Sequence, residues 1–269
     1  MAGYVLHGLI SVKNVNQLLQ QWPAGAVLSQ PWLTAHGVSS VAAGRWAREG
    51  WLARVGHGAY RRAGDKVNWQ GGLYGLQQPL GEGPAFWLGG LSALELSEGS
   101  HFLRFGKEAL TLWGEPGRRL PRWFAGYDWG VRVSYQQYAL FDRAPADSIQ
   151  PYTPPGRDFD IQVATPERAV LEWFYALSGE AFFGSLVSET FGGLVTLRPR
   201  CLQVLLEACR SVKVKRAFLL LARHYGHAWY RRLDTGRIDL GAGKRQLYPG
   251  GRLDRDFQVT VPREWGDDV

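Results

Sequence analysis

Residues 28–62 constrain this chain more than any other stretch, because signals for a helix, a tight turn, a second helix and a basic hairpin follow one another there without interruption. Ser29 can cap a first helix running to Ala35, and Pro31 lies in its first turn, where a missing N–H costs little. His36 and Gly37 close that helix, the glycine supplying the left-handed residue of a helix C-terminus. Val38 then turns inward, and Ser39 caps the next helix, expected over residues 40–49. Ala43, Trp46 and Ala47 share one face of it by their three-and-four spacing, and Leu52 follows just past its end. Ser40, Val41, Gly44, Arg45 and Arg48 fall on the opposite face, small near the start and cationic further on. Gly50 stops the helix. Residues 51–55 and 59–62 read as two strands joined by Gly56-His57-Gly58 and flanked by Arg54, Arg61 and Arg62.

That order of parts is a winged helix-turn-helix. Short residues let such a helix approach a major groove, hydroxyls meet base edges, arginines pair with guanine or phosphate, and a basic hairpin rests on the sugar-phosphate backbone. The competing reading is a winged helix that serves only to dock another protein.

The net charge of +7 is spread unevenly. Residues 1–66 carry a surplus of five positive charges, residues 67–197 a surplus of five negative ones, and residues 198–269 a surplus of seven positive. A polyanion should therefore meet both ends, or the head alone with the tail facing an acidic protein; a merely solvated tail competes with both. At 269 residues the chain has room for roughly two domains, and its 45% hydrophobic content can give each a core. The expected class is α+β: an N-terminal winged helix-turn-helix domain over residues 1–80, then a larger mixed α/β domain over residues 81–269. No apolar run reaches the ~20 residues of a membrane helix, and residues 1–10 lack the order of a secretion signal, so the expected location is the cytoplasm. Cys201 and Cys209 would lie about 12 Å apart on one helix, too far for a disulfide.

Residues 13–21 place Val15, Leu18 and Leu19 at helical spacing, as the first helix of the same small core. Residues 68–78 carry Trp69, Leu73 and Leu76 among glycines that weaken a helix without forbidding it, and residues 86–96 contain a second helical run, with Leu91, Leu94 and Leu96 offered to a core. The period then changes: residues 109–113, 131–135 and 159–163 read as strands. Thr165-Pro166-Glu167 opens a helix with Val170, Trp173, Phe174 and Leu177 inward. Two more helices follow at residues 199–210 and 212–225, the second with Val214, Phe218 and Leu221 inward and Lys213, Lys215, Arg216 and Arg223 outward. Residues 241–261 read as two strands around Tyr248-Pro249-Gly250-Gly251.

Catalytic constellations are sparse. His224 and His227 have no nearby Cys, Asp or Glu to complete a tetrahedral metal set. The segment Gly241-Ala242-Gly243-Lys244-Arg245 lacks the spacing and following helix of a phosphate loop, and Ser92 lacks the second glycine of a nucleophile elbow. Asp158 and Asp160 are the one carboxylate pair a nucleic-acid-processing enzyme could use, and an acidic strand entry explains them as well. The expectation is a protein that is not an enzyme and needs no cofactor or metal.

Three stretches carry a family resemblance: LSQPWLTAHGVSSVAAGRWAREGWLARVGHGAYRR at residues 28–62, ATPERAVLEWFYAL at residues 164–177, and the whole of residues 211–262 from SVKVKRAFLLLARHYGHAW to DFQVTVP. In these the chain resembles the AbiEi-type antitoxins of type IV toxin–antitoxin (abortive-infection, phage-defence) systems, which are bacterial transcriptional regulators. The resemblance implies an N-terminal domain that binds inverted repeats in the double-stranded promoter DNA of its own operon and represses it. It also implies a C-terminal domain that neutralises a nucleotidyltransferase-like toxin, with or without a stable complex. Carried onto this sequence, the DNA-contacting positions are Ser39, Ser40, Val41, Arg45, Arg48, His57, Arg61 and Arg62, and the reading of the hairpin adds Arg54. Lys244 and Arg245 are candidates for a second anion-binding surface. Ser40, Val41 and Gly44 stand where the family more often has basic or polar residues. An antitoxin that acts purely through protein contacts, and last a nucleic-acid-processing enzyme, are the alternatives.

Overall fold

The computed structural model describes residues 14–78, 84–97 and 109–265. In chain order the elements are α1 (Val15–Gln21), β1 (Leu28–Ser29), α2 (Gln30–Ala35), α3 (Ser40–Arg48), β2 (Leu52–Gly56), β3 (Ala59–Arg62), α4 (Trp69–Gln77) and β4 (Phe86–Leu88). Then come α5 (Gly90–Ser97), β5 (Ala109–Gly114), α6 (Arg122–Ala125), β6 (Arg132–Gln136), β7 (Ile149–Tyr152), β8 (Ile161–Ala164) and α7 (Pro166–Ala176). The last are α8 (Ser185–Gly193), α9 (Pro199–Ala208), α10 (Val212–His224), β9 (Arg252–Asp254) and β10 (Val259–Val261). The class is α+β, with the winged helix first, as the sequence predicts.

Two compact units divide the chain, and neither is one continuous run. The first comprises Met1–Trp87, Arg104–Gln137 and Pro151–Gln162; the second comprises Leu88–Leu103, Tyr138–Gln150 and Val163–Val269. The first unit holds the winged helix and α4 together with β5, α6 and β6.

In the first unit the helix-turn-helix forms as its signals dictate. Asn14 caps α1 by accepting from the Gln17 N–H at 3.0 Å, and the Ser39 hydroxyl does the same for Ala42 at the start of α3, at 3.2 Å. Ser29 caps nothing with its side chain; it belongs to β1, whose pairing with β3 (Leu28 opposite Tyr60) puts β3 in the middle of a three-stranded antiparallel sheet. Gly37 and Gly50, at φ +84° and +82°, end their helices in the left-handed conformation. Leu18, Leu33, Val38, Ala43, Trp46 and Leu52 form the core beneath.

Helix α4 explains its own glycines. A Cβ at Gly71 would stand 1.9 Å from the Gly25 carbonyl oxygen, and one at Gly75 2.0 Å from that of Val27, so bare backbone is what lets α4 lie against residues 25–27. The Gln77 side chain donates to the Phe86 and Gln162 carbonyls at 3.1 and 2.9 Å and accepts from the Gln162 N–H at 2.8 Å, bonding as a strand neighbour would. β5 and β6 run parallel from Ala109 opposite Arg132 to Trp113 opposite Gln136.

The second unit is built around α7, which is buried from Glu167 to Phe174, with α5, α9 and α10 packed on it. Phe174 meets Phe182, Phe191 and Phe218 at ring separations of 5.2–6.1 Å. The helical run expected within residues 86–96 is α5, and residues 86–88 ahead of it form a strand, with Leu88 paired in parallel to Val163, that a short apolar run does not reveal. Two expectations are corrected here. Lys215 and Arg216 are buried rather than outward. The Arg216 guanidinium donates to the carbonyls of Leu240, Gly241, Gly243 and Gln258, while Lys213, half-buried, donates to those of Tyr175 and Leu177. Finally, the C-terminal hairpin turns at residues 255–258, not at Tyr248-Pro249-Gly250-Gly251, because both of its strands lie beyond that turn.

Candidate nucleic-acid interface

The outer face of α3 is open along its length. Ser39, Ser40, Val41, Arg45 and Arg48 are exposed, Val41 to 77% of its surface, while Ala43 and Trp46 hold the helix to the core. Arg45 pairs with Glu49 at 3.7 Å, with both side chains about half exposed, a weak arrangement that phosphate can replace. One position departs from the expected face: Gly44 is buried, covered by arginines. A Cβ there would meet Arg54 Nη2 at 3.7 Å and Arg48 Nη1 at 3.9 Å, so the two guanidiniums converge on one point above the helix. Among the described residues neither has an acidic partner within 4.0 Å. Arg54 also lies over the Tyr60 ring, 5.5 Å from its centre, which fixes its stem. Two unpaired cations on rigid elements, one from the helix and one from the hairpin, make a ready seat for an anion.

The wing behaves differently at its two ends. At the tip, His57 is exposed, and the Gly58 carbonyl accepts from the Gln30 N–H at 2.7 Å, tying the turn to α2. At the base, Arg61 and Arg62 are half-buried and already engaged. Arg62 Nε donates to the Asp65 carboxylate at 3.0 Å and Arg61 Nη1 to the Asp65 carbonyl at 2.5 Å, while the same carboxylate accepts from the Gly25 N–H at 2.8 Å. Register also separates Arg61 from Arg54: Arg54 stands opposite Tyr60 and Arg61 opposite Ala53, on the other face of the hairpin, whereas Arg62, opposite Leu52, shares the face of Arg54 and is set apart by its bond to Asp65. The sequence candidates thus divide into a gathered set, Arg48 and Arg54 with Ser39, Ser40, Val41 and Arg45 along the same helix, and a pair bound to Asp65.

An open cleft of about 1100 Å³ is lined by α2, the start of α3, the wing, the end of α4, the start of β4 and residues 115–123, and its walls include Ser40, Arg54 and His57 from the winged helix and Arg118 and Trp123 from the later segment. The second wall went unread in the sequence, since Arg118, Arg119 and Arg122 stand inside a stretch whose acidic total conceals them. In the second unit Lys244 and Arg245 are both exposed; Arg245 is held through its backbone, its N–H donating to the Gln258 carbonyl at 2.9 Å. Elsewhere Asp158 and Asp160 lie at the start of β8, and Asp160, exposed, accepts from the Thr153 hydroxyl. His224 stacks on Trp265 and His227 on Trp229. Among the described residues no group of three or more His, Cys, Asp or Glu could hold a metal, and no helix is long and apolar enough to cross a membrane. Cys201 and Cys209 are both free thiols, and burial pushes that of Cys209 up to about 11.

A capped helix with an open cationic face, braced by a three-stranded wing, defines the winged-helix class of fold. Residues 107–262 match the family described as "Transcriptional regulator, AbiEi antitoxin, Type IV TA system", and residues 11–105 match its "AbiEi antitoxin N-terminal domain". The chain belongs to this family of antitoxin transcriptional regulators. Among solved structures it is similar to the RV2827C protein from Mycobacterium tuberculosis, with a TM-score of 0.53 and 16% identity over 91% of this chain and 88% of that one, a likeness of fold. No curated protein matches.

Proposed function

We propose that this protein is the autorepressor of its own operon, binding inverted repeats in the promoter through α3 and the wing, and the antitoxin of a nucleotidyltransferase-like toxin encoded beside it. The convergence of Arg48 and Arg54 above Gly44, without acidic partners among the described residues, is the observation that carries the DNA half. In this reading Ser39 and Ser40 offer hydroxyls, and Val41 offers the apolar contact that a thymine methyl accepts. Arg45, Arg48, Arg54 and His57 take phosphates or guanine edges, while Arg61 and Arg62 contribute mainly by holding the wing's base on Asp65. Lys244 and Arg245 serve as a second anion-binding surface in the basic C-terminal region.

The test is a footprint on the upstream promoter with the full chain. Protection is expected with the wild-type protein and is expected to fade for Arg45→Ala combined with Arg48→Ala, with the salt dependence of binding flattened by about one unit per lost phosphate contact. Undiminished protection by that variant would sink the assignment of α3. The antitoxin half is tested by co-expression with the adjacent gene product: rescue of growth that survives the Arg45/Arg48 changes would place neutralisation outside the recognition helix.

A further inference from the structure

The cleft's second wall lies outside the helix-turn-helix, yet the first unit holds it rigidly against the wing. A Cβ at Gly56 would stand 2.8 Å from the Trp123 Cβ and 2.9 Å from its Cα, so backbone meets backbone where β2 passes α6. The loop before α6 is pinned as well: the Tyr135 hydroxyl donates to the Arg118 carbonyl, and the Arg118 N–H donates to the Glu115 carbonyl at 3.1 Å. Arg118 therefore lines the cleft from a fixed backbone, in company with Ser40, Arg54 and His57. Its side-chain partner is the Glu115 carboxylate at 3.4 Å, but both side chains are more than half exposed (63% and 52%). A pair so solvated is screened and readily exchanged for phosphate. Arg119 and Arg122 stand in the same segment without lining the cleft.

We propose that residues 115–123 form a third DNA-backbone element, with Arg118 contacting a phosphate of a strand that runs through the cleft between this wall and the wing. The occupant is duplex DNA because one cleft is lined both by Ser40, Arg54 and His57, which belong to the candidate recognition surface, and by Arg118, so that two arginines from separate segments serve a single space. This rests on the DNA-binding reading above and enlarges it: the interface extends beyond the winged helix into a segment that charge totals assign to the acidic middle of the chain.

The experiment titrates the full-length protein with its promoter duplex between about 50 and 200 mM salt, as wild type, Arg118→Ala, Arg118→Lys, Arg119→Ala and the Arg45/Arg48 double alanine variant. One lost phosphate contact lowers the slope by about 0.9, so the ratio of affinities at the two salt concentrations should fall about 3.5-fold for Arg118→Ala. Arg118→Lys should keep the wild-type slope, and so should Arg119→Ala. A wild-type slope for Arg118→Ala, or an equal drop for Arg119→Ala, overturns this inference while leaving the recognition helix intact if the double variant still loses binding. Absence of binding by the wild-type protein overturns both readings.

Discussion

At the scale of single residues, two buried charges show what periodicity conceals. Arg216 lies on a helical stripe that spacing alone sends outward, yet it is 2% exposed because tail carbonyls 24 to 42 residues away accept from it. Nothing local to α10 announces those acceptors. Glu167 is the acidic counterpart: burial pushes its carboxyl up, but the Arg198 guanidinium and backbone N–H, at 2.8–3.0 Å, hold it below its ordinary range. A carboxylate whose folded pKa is depressed contributes stability that is complete above the unfolded value of about 4.3 and is lost as pH falls through the lower, folded one. The gap in thermal stability between wild type and Glu167→Gln should thus be constant above about pH 5 and shrink below it. Because Arg198 is itself 55% exposed, the effect is smaller than for a fully buried pair. A gap that stays constant through acid titration would show that Glu167 titrates alike in the folded and unfolded chain, and one that widens toward acid would show that its folded pKa is raised instead.

At the scale of elements, two helices with glycines in their middles have opposite reasons for them. A Cβ at Gly75 in α4 would stand 2.0 Å from the Val27 carbonyl oxygen, so Gly75→Ala must move α4 off residues 25–27. The expected cost is at least the ~1–3 kcal/mol of an overpacked core, read as a lower denaturant midpoint. At Gly44 in α3 the nearest neighbours of a Cβ would lie at 3.7 and 3.9 Å, both arginine ends, so Gly44→Ala should be neutral or raise stability by up to ~1 kcal/mol through helix propensity. Matching losses in the two variants would refute the distinction. The helix-turn-helix was legible because its caps, its glycines and Trp46 act locally; α4 was legible as a helix but not in its reason, which lies in a backbone contact. β4 was not legible because Phe86, Trp87 and Leu88 are apolar on both faces, and β7, with Pro151 in its middle, offers no alternation to read.

At the scale of the whole molecule, the candidate site depends on chain that a linear domain map would discard. The residues expected on DNA were readable from 28–62, whereas Arg118 and Trp123 were not, because their nearness to the wing arises from the first unit's gathering of three separate segments. That assembly has energetic content. Trp123 abuts Gly56, and the Trp129 ring would come within 2.4–2.7 Å of a Cβ at Gly72, so tryptophans from beyond residue 108 cover both the hairpin and α4. A fragment of residues 1–80 retains every recognition residue but exposes the apolar surface those rings bury, at roughly 25 cal/mol per Å² of apolar area returned to water. Compared with the full chain, it should melt at lower temperature with reduced cooperativity, protect its α4 amides less from hydrogen exchange, and bind promoter DNA with a shallower salt dependence for want of Arg118. A fragment whose α4 protection and DNA-binding slope equalled those of the intact protein would show that the winged helix is energetically self-sufficient and that the later segments of the first unit merely lie beside it.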